Sequence, residues 1–252
     1  MGSSLAYKHR IRIQELKLIL DEFPVHRNMR VLEVGCGSGV QSFILAQKAD
    51  FVVSSDIDLS QVKLRLPHLI KCSGEFLPLK NRSFDVVYSS CVLEHVRNRR
   101  LFLSEINRVL TNDGVFICVV PTFAWKVLQM LLYYPTTVYR LIRSQIKDHS
   151  KSRIRACTRY FFPSIHGEFD GNIEESRAYM IKNWIALLES NGFEICKIKR
   201  LVLYVPLGKL REKNITIVPP ALKIEKLLGL SSSIMLLARP RKMSSFRWHK
   251  IE

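Results

Sequence analysis

The chain has 252 residues, of which 47% are hydrophobic and 24% are charged, and its formal net charge is +17. This balance is typical of a globular protein with a sizeable core and excludes a disordered chain. The positive charge is concentrated, with seven Lys/Arg and one acid in residues 140–159 and thirteen Lys/Arg and three Glu in residues 196–252. Such clusters favour an anionic partner: nucleic acid, an anionic membrane surface or a phosphorylated molecule.

The six cysteines are scattered and form no Cys-x-x-Cys pair or Cys/His cluster. This spacing argues against a disulfide framework and a structural zinc site, so we predict a reducing, cytoplasmic environment and no metal. The first twenty residues are charged and helical in period, and they are not expected to form a signal peptide.

Apolar positions at helical spacing predict a leading helix over residues 5–22. Five strands are predicted next from short apolar runs, namely "RVLEVG", "FVVSSD", "LIKCS", "FDVVYSS" and "VFICVVP". Helices are predicted at "GVQSFILAQKA", "LSQVKLRL" and "RRLFLSEINRVL", the last ending near "TNDG". This alternation over residues 30–121 is typical of α/β proteins with a doubly wound parallel sheet covered on both faces. Two further strands are predicted in "FEICKIKRLVLYVP" and "SSIMLLARPRK".

The stretch "LEVGCGSGV" lies at the end of the first predicted strand, where ligands bind in such sheets. Its glycines Gly35, Gly37 and Gly39 allow the backbone to come close to a ligand. Val40 stands where the G-x-G-x-x-G dinucleotide fingerprint requires glycine, which disfavours a pyrophosphate cradle. A P-loop is excluded because no Gly-Lys-Ser/Thr follows.

An acidic residue, Asp56, ends the second predicted strand 17 residues after Gly39. That distance suits a carboxylate that accepts hydrogen bonds from the two hydroxyls of a ribose. The alternative role is a helix N-cap, which Asp58 fits better because it stands nearer the helix start.

Four segments, in order, resemble the motifs of class I S-adenosylmethionine (SAM)-dependent methyltransferases. They are "VLEVGCGSG", "SSDID", "EFLPLKNRSFDVVYSSCVLEHV" and "EINRVLTNDGVFICVVP", and they are most similar to the small-molecule branch that contains ubiquinone-type methyltransferases. The resemblance covers residues 30–121 and resumes more weakly at "IKNWIALLESNGFEICKIKRL". It implies one domain over residues 1–252, a seven-stranded, mostly parallel Rossmann-like sheet with one antiparallel strand, and SAM as cofactor.

The resemblance also implies which residues contact the cofactor. The glycine loop would hold the methionine portion, and Asp56 would bind the ribose. Ser73 stands where the family often has Asp, so the adenine contact falls to Ser73, its neighbours Gly74 and Glu75, or Phe76. The implied cofactor-binding residues are Glu33, Gly35, Cys36, Gly37, Gly39, Asp56, Ser73, Gly74, Glu75, Ser90 and Cys91.

Because the sulfonium of SAM already activates its methyl group, the enzyme mainly has to align the acceptor, and a base helps when the acceptor is a hydroxyl. We predict His95 and His166 as candidate catalytic residues for that step. The alternatives are a capping or packing role for His95 and an ordinary loop position for His166. Weaker candidates are Tyr160, Arg159 and Glu168.

Residues 123–165 are predicted to form a helical insertion after the fifth strand. Aromatic and apolar residues come first, with Trp125 and Leu131 expected to insert into a membrane, and basic residues follow. This order is typical of a segment in a membrane interface, where the chain would be peripheral on the cytoplasmic face. It equally fits a lid over the substrate, and the two roles can coexist.

Three functions remain open from the sequence. The first is methyl transfer to a small-molecule or lipidic acceptor, which the apolar insertion favours. The second is methylation of nucleic acid such as RNA, which the charge favours; against it, "SSCVLE" stands where exocyclic-amine methyltransferases carry Asn/Asp-Pro-Pro-Tyr/Phe. The third, a non-catalytic SAM-binding protein, is disfavoured by the intact glycine loop and Asp56.

Overall fold

A computed structural model describes residues 2–131, 133, 165–201 and 231–241. Its sheet has seven strands in the order β3-β2-β1-β4-β5-β7-β6, and β7 runs antiparallel to both of its neighbours. This confirms the predicted doubly wound sheet with one reversed strand. The strands are β1 (Arg30–Val34), β2 (Phe51–Asp56), β3 (His68–Lys71), β4 (Phe84–Ser90), β5 (Leu110–Pro121), β6 (Phe193–Arg200) and β7 (Ser233–Pro240).

Helices cover both faces of the sheet in the described part of the chain. They are α1 (Gly2–Glu22), α2 (Val40–Leu45), α3 (Arg99–Val109), α4 (residues 123–131), α5 (Asn172–Ala178) and α6 (Ile181–Ser190). Single 3₁₀ turns occupy Leu59–Gln61 and Leu93–His95. Among these residues no helix has both the length and the apolar character needed to cross a bilayer.

Alternate residues of the strands point into two separate cores. In β1, Leu32 packs in the cluster that contains Phe102 of α3 and Trp184 of α6. Val31 packs on the opposite face in the cluster that contains Leu16 of α1. Because both faces are buried, the strands read as continuous apolar runs rather than as an apolar–polar alternation.

The predicted helix "LSQVKLRL" is wrong, since only Leu59–Gln61 forms a helical turn. Its apolar residues Val62, Leu64 and Leu66 recur every second position, and Val62 is already extended. Two boundaries also differ from those expected. Helix α2 ends at Leu45, before the predicted end, and β5 begins at Leu110, so that "TNDG" belongs to the strand rather than to a loop.

The strand order reverses at β1, which pairs with β2 on one side and β4 on the other. At such a switch point the connections leave on opposite faces and open a cleft at the carboxyl ends of the strands. The glycine loop leaves β1 at this cleft. Helix α4 begins the predicted insertion, whereas residues 134–164, including Arg159 and Tyr160, lie outside the described residues, and the lid itself remains a prediction.

Candidate active site

The glycine loop is fixed by backbone contacts to the neighbouring strand. The amides of Gly35 and Cys36 both donate to the carbonyl of Ser55, at 2.8 and 3.0 Å. Gly35 has a φ of +82°, and a Cβ added there would lie 2.1 Å from Cγ2 of Val92. Gly37 also has positive φ, +53°, but a Cβ there would meet nothing within 4 Å. Glycine is therefore required at 35 by both conformation and space, and at 37 by conformation alone.

The carboxylate of Asp56 is held by two backbone amides. Gly37 donates to Oδ2 at 2.7 Å, and Asp58 donates to Oδ1 at 3.0 Å. Each carboxylate oxygen has capacity for a further hydrogen bond, so the group is oriented and able to accept from ligand hydroxyls. Asp58 accepts from the amide of Ser60 at 2.9 Å and caps the 3₁₀ turn, as predicted.

A cavity of about 370 Å³ opens at the carboxyl ends of these strands. It brings together six residues that the sequence predicted, namely Gly35, Asp56, Ser73, Gly74, Glu75 and His95. Glu168, a weaker candidate, also lines it. Sequence reasoning missed the other lining residues, which are Val34, Ile57, Cys72, Val92, Val96 and Arg97.

Other predicted contacts lie behind the wall of this cavity. Glu33 is buried beneath the loop, and Oγ of Ser42 donates to its carboxylate. Burial raises the pKa of Glu33 to about 8. Burial likewise raises the pKa of the Cys36 thiol to about 12, with smaller contributions from the carboxylates of Glu33 and Asp56. Glu33 and Cys36 therefore favour their protonated forms near neutral pH.

Side chains on the predicted adenine side stabilise the backbone of the wall. Oγ of Ser73 accepts from the amide of Glu75 at 3.2 Å, and Oε1 of Glu75 accepts from the amide of Asn98 at 2.7 Å. Gly74 has no room for a side chain, because a Cβ would lie 2.5 Å from the ring of Phe102. Phe76 is 67% exposed and is not among the lining residues. The adenine contact remains a prediction.

Helix α1 closes onto the end of β4 through Arg12. Its Nη1 donates to Oγ of Ser90 at 3.0 Å and to Sγ of Cys91 at 3.2 Å, and it pairs with Glu15 at 2.8 Å. Ser90 and Cys91, both predicted cofactor contacts, thus have partners from the N-terminal helix. The sequence analysis missed Arg12, whose only signal is its three-residue spacing from Glu15 on an otherwise apolar helix face.

The two candidate histidines lie side by side. The ring centroids of His95 and His166 are 4.6 Å apart at an interplanar angle of 79°, and Trp125 packs against His166 at 5.1 Å. The carbonyl of His166 accepts from Oη of Tyr179 at 2.6 Å. Partial burial lowers the pKa of His95, opposed by the nearby Glu168 and Glu175 carboxylates. The structure therefore joins two residues that are distant in sequence at the edge of one cavity.

A buried ion pair fixes the segment that carries His166. Nζ of Lys126 lies 2.5 Å from Oε2 of Glu175, and both side chains are fully buried. The second oxygen of Glu175 accepts from the amide of His166 at 3.0 Å, and Lys126 also donates to Asn172 at 2.8 Å. The pair thus ties α4, α5 and the loop before α5 together.

A second buried carboxylate, Glu94, precedes His95. Its side chain is inaccessible to solvent, and among the described residues neither oxygen has a hydrogen-bond partner of ordinary geometry. Burial raises its pKa to about 7. Its backbone carbonyl accepts from the amide of Glu168 at 2.9 Å, and a Cβ on Gly167 would lie 2.5 Å from that carbonyl oxygen. The segment after the insertion is therefore packed directly on the turn after β4.

The residues around this cleft are similar to those of known methyltransferases. Residues 32–118 match the model of a methyltransferase domain. A Mycolicibacterium smegmatis protein named "Probable S-adenosylmethionine-dependent methyltransferase" is 38% identical over 96 residues, 36% of this chain and 37% of that protein. The ubiquinone biosynthesis O-methyltransferase of Bartonella quintana is more distant, 23% identical over 133 residues, 49% of this chain and 54% of that protein. The chain thus spans about half or less of the length of these relatives.

Solved structures agree on the fold. One similar chain comes from the Haloferax volcanii complex between the Trm112 methyltransferase activator and a methyltransferase, with a TM-score of 0.61 and 13% identity. The alignment covers 95% of this chain and 94% of that one. The sheet order, the cleft at the glycine loop and the match over residues 32–118 together support a class I SAM-dependent methyltransferase domain with SAM as its cofactor.

Proposed function

We propose that this chain transfers a methyl group from SAM to a small-molecule or lipid-like acceptor by in-line displacement. The observation that carries the proposal is the Asp56 carboxylate, which the Gly37 amide orients at the wall of a cavity bounded by His95. When bound, SAM supplies a methyl group already activated by its sulfonium. The residues of the chain then have to hold the two reactants in line and exclude water, and such positioning contributes roughly 7–11 kcal/mol.

The acceptor would lie on the side of His95 and His166. His95 lines the cavity, the ring of His166 packs on His95, and Trp125 packs on His166. A hydroxyl or amine acceptor would meet polar ring nitrogens there beside an apolar indole. This mixture suits an acceptor with one polar reacting group on a larger apolar body.

Calorimetry with S-adenosylhomocysteine tests the cofactor assignment. We expect the wild-type chain to bind it and Asp56→Ala to weaken binding by ~1–3 kcal/mol, because hydroxyls of the ligand lose their acceptor. Asp50→Ala is the matched control, since Asp50 is an exposed carboxylate whose pairing with Arg27 lies on the surface. Unchanged affinity in Asp56→Ala would remove Asp56 from the site, and preferential binding of NAD would contradict the proposal.

We also propose that the acceptor side docks on an anionic membrane surface, peripherally and on its cytoplasmic face. Support comes from four exposed apolar side chains near the insertion, Phe123 (42%), Leu131 (65%), Ile165 (39%) and Ile173 (73%). The basic residues 140–159 follow in sequence and would add ~1 kcal/mol each near anionic lipid. Trp125 was expected at this face, but it is only 5% exposed and packs on His166, so that expectation was wrong.

Co-sedimentation with anionic vesicles tests the docking. Binding should fall as salt rises and leave a fraction that salt does not remove, because charges are screened and apolar contacts are not. Replacing Phe123 and Leu131 with Ser should reduce that fraction, and replacing Arg153, Arg155 and Arg159 with Gln should reduce the salt-sensitive part. A wild-type chain that stays in the supernatant at low salt contradicts docking. Salt-dependent binding to RNA but not to vesicles would instead favour a nucleic-acid acceptor.

A further inference from the structure

Three potential metal ligands converge at the acceptor end of the cavity. Glu94, His95 and His166 each offer one ligand atom, and these atoms all lie within 4.8 Å of one another. Two of the residues come from the 3₁₀ turn after β4, and the third comes from the segment after the insertion. Two imidazoles and a carboxylate form a donor set that zinc and similar divalent ions bind, with positions left open for a reacting molecule.

The carboxylate of Glu94 provides an independent indication of a missing partner. It is fully buried, and within the described ranges neither oxygen accepts a hydrogen bond of ordinary geometry. The buried ammonium of Lys126 pairs with Glu175. A buried carboxylate that accepts no hydrogen bond of ordinary geometry is unfavourable, and a metal ion would supply a strong partner.

We propose that Glu94, His95 and His166 together bind one divalent ion of the zinc type. Ligand bonds of about 2.0–2.2 Å in a tetrahedral site would bring the three ligand atoms to about 3.4 Å from one another. The two backbone segments that carry the ligands are already joined. The amide of Glu168 donates to the carbonyl of Glu94, and Nη2 of Arg99 donates to the carbonyl of Glu168 at 2.8 Å.

The position of the ion would define the acceptor. Since His95 lines the cavity, an open coordination position on the ion would face that cavity. A hydroxyl oxygen bound there would lose its proton to solvent more readily, because a divalent ion lowers the pKa of a bound hydroxyl. The oxygen would then form its bond to the methyl carbon as the carbon–sulfur bond breaks, and the sulfur keeps that electron pair. This part deepens the proposed function and rests on it: the acceptor atom is a hydroxyl oxygen.

No metal was predicted from the sequence. The cysteines carried that prediction, and they are not needed for this site. His95 and His166 are far apart in sequence, so no local motif indicates the ligand set. The three ligands come together only because the segment after the insertion packs on the turn after β4.

The test is metal binding by the full, untagged, metal-free chain. Calorimetric titration with Zn²⁺ alone should show one ion per wild-type chain. Glu94→Gln and His166→Ala should each lower the affinity at least about 10-fold, because replacing even outer partners of a metal site costs 10–100-fold. His26→Ala is the matched control, since His26 is exposed and outside the cluster, and it should bind as wild type does. No saturable binding by wild type, or wild-type affinity in both site variants, overturns the proposal.

Two further measurements keep the outcome unambiguous. Binding of S-adenosylhomocysteine tests the cofactor site separately. A wild-type chain that binds zinc but not S-adenosylhomocysteine contradicts the proposed function and not the metal site. A wild-type chain that binds S-adenosylhomocysteine but not zinc contradicts the metal site alone. If both site variants fail to fold, the absorption spectrum of the Co²⁺-loaded wild type decides. Tetrahedral bands without thiolate charge transfer support the three ligands, and a strong thiolate band assigns the ion to a cysteine and overturns the proposal.

Discussion

The two ends of the cavity are built differently. The cofactor end, residues 33–39 and 55–58, is held by backbone amides and glycine conformations, as at Gly35 and at Gly37, whose amide fixes Asp56. The acceptor end, residues 91–99, 122–126 and 165–180, is held by buried side chains, above all Lys126 and Glu175. Backbone contacts between consecutive βα units form wherever the sheet forms. Side-chain contacts between distant segments depend on single residues.

Each end contains a buried carboxylate, and their partners show the same difference. Glu33 at the cofactor end is hydrogen-bonded by the neutral hydroxyl of Ser42, and burial favours its protonated form. Glu175 at the acceptor end faces the ammonium of Lys126. A neutral pair tolerates replacement by another neutral group, whereas a buried ion pair does not tolerate the loss of one charge.

The largest effect is expected for Lys126→Met. This substitution leaves the Glu175 carboxylate buried without its cation, which should lower the free energy of unfolding by about 3–5 kcal/mol. Urea denaturation at pH 7 measures the change. The double variant Lys126→Met/Glu175→Gln should recover most of it, and Arg27→Ala, which breaks an ion pair 83% and 71% exposed, should change stability by about 0.5 kcal/mol or less. A Lys126→Met effect as small as that of Arg27→Ala would contradict the distinction between the two ends.

An intermediate effect is expected at the glycine loop. Gly35→Ala should weaken S-adenosylhomocysteine binding by roughly 2–4 kcal/mol, because the new Cβ is strained at positive φ and overlaps Val92. Gly37→Ala should cost only the conformational part, roughly 1–2 kcal/mol, since nothing lies within 4 Å. Calorimetry compares the two variants. Adding Val92→Ala should restore part of the affinity lost in Gly35→Ala and should not change the affinity of Gly37→Ala. Equal losses of affinity in the two glycine variants would contradict the steric explanation.

The smallest effect is expected for Glu33→Gln, and it depends on pH. Because burial raises the pKa of Glu33 to about 8 from an ordinary value near 4.5, the folded chain holds a proton that the unfolded chain releases. The contribution of Glu33 to the free energy of unfolding is fully present below about pH 4.5 and is lost as the pH rises toward about 8. Glutamine does not titrate, so the unfolding free energy of the variant does not have this pH dependence. Between these two pH values its stability relative to wild type should rise by at most about 1.4 kcal/mol for each pH unit. Unfolding free energies at pH 6 and 7 measure this gain, and parallel curves would show that Glu33 is ionised in the fold.

The sequence predicted the sheet well because strand formation and burial leave a local pattern. Runs such as "VLEVG" and "FDVVYSS" are apolar on both faces and lie at βα spacing. The segment after Asp58 was misassigned because Leu59, Val62 and Leu66 also fit the i, i+3, i+7 spacing of a helix. Packing against the glycine loop favours the extended form. Leu66 lies 3.0 Å from where a Cβ on Gly39 would stand.

The sequence by itself determined the existence of strands β1 to β5, the glycine loop and the acid at the end of β2, since these features are set by residues close together in the chain. Only the tertiary structure decided that Arg12 reaches Ser90, that Trp125 is buried, and that Glu94, His95 and His166 meet. These contacts join segments far apart in sequence, and no local periodicity records them. They form because α1 and the residues after β5 must cover the apolar faces of the sheet, which brings their polar side chains to the same cleft.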